Sequence, residues 1–482
     1  MAQPLSRRSA ANLVQLNRTE FKTGIVHIGL GNFHRAHFAV YTAKAMDRAG
    51  GDWGICAFTF RNKELVENLK AQDNLYSVLE IGPGTEKAYL PNAHTEFVVG
   101  YDQVDYISEL ISKKSTKIIS LTITEAGYYL DQKSGGLNLE HPDIKNDLAG
   151  DTPRTIYGLI LNGLLKRNGE PISILSCDNI SHNGDLLKKL LSEFADKIAP
   201  DLASYLENRV SFPNSMVDRI VPGTEAKHLL LAENRLGVID LAPVPCEEFS
   251  MWALEDKFLA GRPDWPEVIF TNEVSAFEQM KLMLLNGSHS LLAYLGGLLN
   301  CQTIPDCRFH PKVELALRAA IANEFLPATQ MPTNISADTY IAQLFERWSN
   351  TVLADKTHRV GSDGSTKLPQ RITKPSIRLL SKSIEPRLMA LTVAAWMACI
   401  APLNQEKTNE VCASMKDPNK EVINSLSKVS PESFVGEFFT KTNIFDESLS
   451  QNAQFVESVL KYRKQIYDFG VEAAIDSVLL ST

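Results

Sequence analysis

The stretch that decides the fold is Ile25-Val26-His27-Ile28-Gly29-Leu30-Gly31-Asn32-Phe33-His34-Arg35-Ala36-His37. Its first four residues, bounded by Gly24 and Gly29, read as a short apolar strand, and residues 36–49 behind them have helical composition. Between the two, Gly29 can make the tight turn, and Gly31 lets backbone N–H groups approach a pyrophosphate at the start of the helix. A bare Gly-x-Gly says little, but this one lies between a first strand and a first helix, the setting a dinucleotide-binding turn requires. His34 stands where the third glycine of that fingerprint is usual, so helix and strand must pack differently here. His34 and His37 have a spacing that suggests metal ligands, yet no third ligand lies nearby, and no metal site is expected.

Moving outward, residues 53–60, 117–122 and 172–177 are further short β-rich runs, separated by helix-like stretches at 64–72 and 101–112. That alternation predicts an α/β fold with a parallel sheet covered on both faces. From about residue 275 the pattern changes to long helical segments at 277–299, 311–325, 337–350, 386–400 and 452–480. Two domains follow: 1–278, which carries the dinucleotide-binding turn, and a mostly helical 279–482. At the end of the second run the sequence is Phe60-Arg61-Asn62-Lys63-Glu64. A carboxylate there would hold the ribose hydroxyls and select NAD. Its absence leaves NADP open beside the expected NAD, because Arg61 or Lys63 can tolerate a 2′-phosphate.

Bulk composition narrows the class. With 482 residues, 44% hydrophobic and 22% charged, the chain has the make-up of an ordinary soluble globular protein with more than one core. A net charge of -8 repels phosphate backbones and anionic membranes, so neither nucleic acid nor a membrane is an expected partner. The seven cysteines are scattered, with no Cys-x-x-Cys pair, and read as reduced thiols. No apolar segment follows Arg7 and Arg8 as in a secretory signal, and the apolar run 388–403 is too short and too interrupted to span a bilayer. A buried helix in a cytoplasmic protein is the expectation, and there the Asn-x-Ser/Thr matches at Asn17, Asn179 and Asn334 carry no meaning.

A second chemical signal is Lys281-Leu282-Met283-Leu284-Leu285-Asn286-Gly287-Ser288-His289, where three polar residues interrupt an apolar helix. At about 100° per residue, with Lys281 at the origin, Asn286 falls near about 140° and His289 near about 80°, on one face. A lysine, an amide and an imidazole aimed together from a buried helix are costly to desolvate unless they serve something polar.

Lys-x-x-x-x-Asn-x-x-His together with Gly-x-Gly-x-Phe-x-Arg-Ala-His resembles the long-chain mannitol dehydrogenase family. Similar stretches run along nearly the whole chain: Ser120-Leu121-Thr122-Ile123-Thr124-Glu125, Ser176-Cys177-Asp178-Asn179, Met216-Val217-Asp218-Arg219-Ile220, Glu255-Asp256-Lys257-Phe258 and Asp363-Gly364-Ser365-Thr366-Lys367. The resemblance implies a Rossmann-like N-terminal domain, a mostly helical C-terminal domain, a cleft between them and no catalytic metal. It implies that Gly29, Gly31, Asn32, Phe33 and Arg35 bind the dinucleotide and that Lys281 is the general acid/base. Asn179 and Asn286 would hold the substrate oxygen, and His289 would orient the substrate. Asp218, Arg359 and Lys367 would contact its hydroxyls. The chemistry is coherent, since a desolvated lysine can accept a proton while paired amides stabilise a developing alkoxide.

Other readings fit less well. Tyr129-Leu130-Asp131-Gln132-Lys133 has the short-chain reductase spacing but runs at once into Gly135-Gly136, which favours a loop. A zinc alcohol dehydrogenase needs a Cys/His ligand cluster that is absent from the sequence. A catalytically silent nucleotide sensor would not need Lys281, Asn286, His289 and Asn179 together. Within the family the small-molecule substrate is a polyol or keto-sugar of the mannitol/fructose type, or alternatively a sugar acid, fructuronate reduced to mannonate. Arg359-Val360 resembles the first branch and Leu368-Pro369-Gln370-Arg371 the second, where a further arginine would pair a carboxylate. The polyol is the preferred expectation.

Overall fold

The computed structural model describes every residue except Met1, 11–12, 14–15, 17–19, 132–133, 404–407 and 481–482. Asn17 of the first Asn-x-Thr match and Lys133 of the Tyr-x-x-x-Lys match lie outside the described residues. The chain divides into two compact units, Met1–Ser275 and Ala276–Thr482.

The first unit is built on six strands: β1 (Thr23–Ile28), β2 (Gly54–Thr59), β3 (His94–Val99), β4 (Ile118–Leu121), β5 (Ile172–Ser176) and β6 (Val210–Ser211). They lie in the order β3-β2-β1-β4-β5-β6 with every pairing parallel. This is the doubly wound order, in which ligands bind at the carboxyl ends of the strands where the winding reverses beside β1. His27 of β1 is in register with Ala57 on one side and Ser120 on the other. Successive residues face opposite layers: Val26, Ile28, Phe58, Ile119 and Ile174 enter one core, and Ile25, Ala57, Ile118 and Leu175 the other. Burial on both faces is why these strands read as continuous apolar runs.

Two strands of this sheet escaped the sequence reading. β3 is an edge strand that pairs only with β2, and its half-buried Thr95 and Glu96 interrupt the apolar run. β6 has two residues, too few to show a period. The expected helix over 36–49 starts later, as Phe38–Ala49, after a short helical turn Asn32–Ala36 and a break at His37.

The described residues of the second unit form helices and no strand. Its centre is Arg387–Ile400, with every side chain from Leu388 to Ile400 buried, packed against Ala453–Phe469. Glu324 caps that helix, its carboxylate accepting the N–H groups of Leu388 (2.6 Å) and Met389 (2.8 Å). The helix expected over 452–480 is divided at Gly470, where φ is +85°. No described helix is long and apolar enough to cross a membrane. Three segments are π-helical, Lys281–Gly287, Ile321–Phe325 and Pro369–Thr373, and the first packs against the other two. Such wide turns are rare and occur frequently at functional sites.

Candidate active site

In the first unit the turn after β1 is shaped by glycine. Gly29 has φ +102°, and a Cβ there would lie 2.0 Å from the carbonyl oxygen of Thr122, so no other residue fits. A Cβ on Gly31 would meet nothing within 4 Å, which leaves open space against the backbone. Thr122 closes the turn by donating its hydroxyl to the Gly29 carbonyl (2.6 Å). A glycine-lined turn with room beside it, at the carboxyl end of the central strand, fits a dinucleotide pyrophosphate.

The side chains expected at the dinucleotide divide. Phe33 is half-buried and stacks on His37, centroids 4.9 Å apart. Asn32 donates to the carbonyl of Pro222 (3.1 Å) and to Thr224 Oγ1 (3.2 Å), and accepts from Arg35 Nη2 (2.7 Å). Arg35 is only 2% exposed, its Nη1 donates to the Ala242 carbonyl (2.6 Å), and burial lowers its pKa to about 10. Its guanidinium is therefore turned inward and braces the loop from beneath, since a buried charge takes the nearest carbonyls available.

His34 explains the missing third glycine. Its ring stacks flat on His27 of β1, centroids 3.4 Å apart, and its Nε2 lies 2.9 Å from His94 Nε2. His27 is held by Ser120 Oγ (2.9 Å) and Thr122 Oγ1 (3.0 Å). Burial drives His27 down to about 3 and His34 and His94 well below the ordinary histidine value, so the cluster is neutral. Among the described residues no three His, Cys, Asp or Glu side chains are grouped to hold a metal.

At the end of β2, Asn62 caps the following helix through Leu65 N, and Arg61 Nε donates to Tyr101 Oη (3.4 Å). Asn179 is exposed in the loop after β5, and Asp218, 3% exposed, ends the strand Ser215–Asp218 that pairs antiparallel with Met251–Leu254. Asp178 is the residue sequence reasoning missed. Its buried carboxylate accepts Ile123 N (3.1 Å), Thr124 N (2.9 Å) and Tyr128 Oη (2.9 Å). These bonds tie the loops after β4 and β5 together and hold Thr124 at φ +63°, a conformation a β-branched residue rarely adopts. The signal was present in Ser176-Cys177-Asp178-Asn179: an acid directly after a buried strand needs donors.

In the second unit Lys281 and Asn286 open and nearly close the π-helical segment. The α-helical spacing assumed from sequence is corrected accordingly. Five residues advance about 140° beyond a full turn of α-helix, whereas i→i+5 pairing makes the same five residues roughly one turn. Asn286 thus comes back over Lys281 on a tighter face. Lys281 and His289 are half-buried and Asn286 is 9% exposed. The His289 ring meets Trp348 edge to face at 5.9 Å. A Cβ on Gly287 would lie 2.6 Å from the Phe325 ring, so this glycine lets two π-helical segments touch.

Arg359 and Lys367 flank one turn of the same unit. Arg359 pairs two-pronged with Asp355, Nε–Oδ1 2.8 Å and Nη2–Oδ2 2.6 Å, and Lys367 Nζ donates to the Ser362 carbonyl (2.7 Å). Arg371, the second candidate for a carboxylate, places Nη1 3.1 Å from the Asn286 carbonyl and 2.8 Å from Ser290 Oγ.

Comparison with known proteins places the whole chain. The mannitol dehydrogenase Rossmann domain model matches residues 23–267 and the mannitol dehydrogenase C-terminal domain model residues 273–467. A D-mannonate oxidoreductase of Escherichia coli is 36% identical over 95% of this chain and 96% of its own. A mannitol 2-dehydrogenase of Cereibacter sphaeroides is 34% identical over 95% and 97%. The solved mannitol 2-dehydrogenase of Pseudomonas fluorescens, a ternary complex with NAD and D-mannitol, superposes with a TM-score of 0.89 at 31% identity, covering all of both chains. With two family models spanning most of its length and relatives matched from end to end, this chain belongs to the mannitol dehydrogenase family.

Proposed function

We propose that this chain is an NAD-dependent oxidoreductase that interconverts a linear polyol and its ketose, of the mannitol/fructose kind, with Lys281 as general acid/base. The observation that carries the reading is the π-helical segment Lys281–Gly287, in which Asn286 follows the half-buried Lys281 by roughly one turn. The turn after β1, with Gly29 and Gly31, holds the dinucleotide pyrophosphate, and Arg35 and Asn32 keep that turn in shape. A nicotinamide dinucleotide held there would supply the hydride acceptor for oxidation and the hydride donor for reduction. Lys281 takes the proton of the alcohol being oxidised and gives it back in reduction. Asn286 and Asn179 donate to the alkoxide oxygen, which gains charge only as the reaction proceeds. His289, Asp218, Arg359 and Lys367 orient the remaining hydroxyls.

The test is Lys281→Ala. Turnover should fall by several orders of magnitude while dinucleotide binding, followed by fluorescence, stays near wild type. A variant that keeps more than about a tenth of wild-type activity refutes the role.

A second reading has a specific observation behind it: the 36% identity with a D-mannonate oxidoreductase and the shared-branch stretch Leu368-Pro369-Gln370-Arg371. Here the substrate is a hexonate and its keto form. Comparing kcat/KM for mannitol, fructose, mannonate and fructuronate decides between them, and a tenfold preference for the acids overturns the polyol reading.

A further inference from the structure

We propose that Arg371 is a positioning residue that sets Asn286 through the backbone, and that it does not read the substrate. The inference rests on Lys281 and Asn286 acting as described above.

Lys281–Gly287 is π-helical, and Ser288–Leu298, which continues it, is α-helical. The Asn286 carbonyl lies at the C-terminal end of the π-helical segment, two residues before the α-helical stretch begins. It accepts Nη1 of Arg371 at 3.1 Å and Ser290 Oγ at 3.3 Å, and Arg371 Nη1 also donates to Ser290 Oγ at 2.8 Å. Three groups thus close a small triangle on the residue whose side-chain amide is to meet the reacting oxygen. Arg371 comes from Pro369–Thr373, itself π-helical, and that segment packs against Lys281–Gly287. A guanidinium suits the task because its planar fork is stiff and its bond to a carbonyl is charge-assisted. With the carbonyl pinned, the peptide plane of Asn286 is fixed, and with it the direction in which the amide leaves the helix. Both N–H groups of Nη1 are thereby taken up within the protein.

The experiment compares Arg371→Met, Arg371→Lys and Ser290→Ala with wild type in steady-state kinetics on mannitol, fructose and fructuronate. Amide hydrogen exchange over 281–290 is read in the absence of substrate. Arg371→Met should lower kcat on the order of a hundredfold on every substrate turned over, with KM changed less than about threefold, as expected when an interaction needed only in the transition state is lost. Added guanidinium should restore part of that kcat, Arg371→Lys should lie between Met and wild type, and exchange over 286–290 should accelerate in the Met variant. A loss confined to the sugar acid, carried mainly by KM, overturns the proposal and makes Arg371 a carboxylate reader. Unchanged kcat and exchange overturn it as well. If Arg371→Met does not fold, Ser290→Ala decides: kcat should drop about tenfold at constant KM on all substrates, and an unchanged kcat refutes the triangle. Lys281→Ala keeps the two failures apart. Activity surviving in Lys281→Ala removes the general base, whereas a dead Lys281→Ala beside an unaffected Arg371→Met removes only the clamp.

Discussion

The turn after β1 and the widened helix around Lys281 both depart from regular backbone, and both do so to place polar groups, but they are held by different means. At the turn the constraint is local: Gly29 takes a positive φ that other residues resist, and Thr122, directly after the neighbouring strand β4, closes it. At the helix the constraint is remote. Gly287 yields to Phe325, and the Asn286 carbonyl is met by Arg371, 85 residues further along the chain. A backbone conformation carried by one residue's own φ is legible from that residue. One carried by partners from other helices is not.

The sharpest way to break this comparison is to place alanine at each glycine. Gly29→Ala meets a backbone oxygen and a forbidden φ together, so left-handed strain of about 1–3 kcal/mol adds to a clash that no side-chain change relieves. Dinucleotide binding should be lost and the thermal midpoint should fall markedly. Gly287→Ala meets only a phenyl ring, an overpacking worth about 1–3 kcal/mol that shrinking the ring removes. Phe325→Leu should restore its stability and much of its turnover. Rescue of Gly29→Ala by a side-chain change at Thr122, or failure of Phe325→Leu to help Gly287→Ala, would reverse the contrast.

A smaller effect sharpens the comparison through pH. In the first unit His27, driven by burial from 6.5 to about 3, stays neutral in the fold, while the unfolded chain takes up protons below about pH 6.5. Its contribution is complete above 6.5 and is lost as pH falls toward 3. His34 and His94 shift in the same direction. In the second unit burial raises Glu324 from 4.5 to about 8, against the pull of the Leu388 and Met389 N–H groups. The fold keeps a proton that the unfolded chain releases, so this contribution is complete below 4.5 and is lost as pH rises through 8. Each such proton is worth about 1.4 kcal/mol per pH unit within its window. Thermal unfolding followed from pH 4 to 9 should show His34→Phe flattening the acid limb and Glu324→Gln the alkaline limb. The opposite pairing would mean that the two buried groups do not govern the limbs.

The smallest expected effect is none. The oxyanion contacts are assigned to Asn179 and Asn286, so exhaustive chelation should leave activity unchanged. Activity lost on chelation and restored by zinc would return attention to the histidines of the phosphate loop.

Much of the first unit was legible because two-sided burial writes itself into sequence. β1, β2, β4 and β5 are apolar runs, and Gly29 between strand and helix marks the turn. β3 was not, since an edge strand tolerates Thr95 and Glu96. Lys281, Asn286 and His289 stood out as polar residues in an apolar helix, but their spacing was read on the wrong helix. Nothing in Lys281-Leu282-Met283-Leu284-Leu285 announces i→i+5 pairing, because good helix formers suit either ladder.

Side-chain patterning and glycine conformation, both properties of neighbouring residues, sufficed to establish the parallel α/β unit and the helical unit that follows it in the chain. Three things were left to tertiary structure: that Arg35 turns inward to brace the loop, that His34 replaces a glycine by stacking on His27, and that Lys281–Gly287 is π-helical. Each depends on a carbonyl, ring or guanidinium brought from a distant part of the chain, and hydrogen bonds to such groups are chosen by the packed fold, where an unmet polar atom is costly, and not by local propensity.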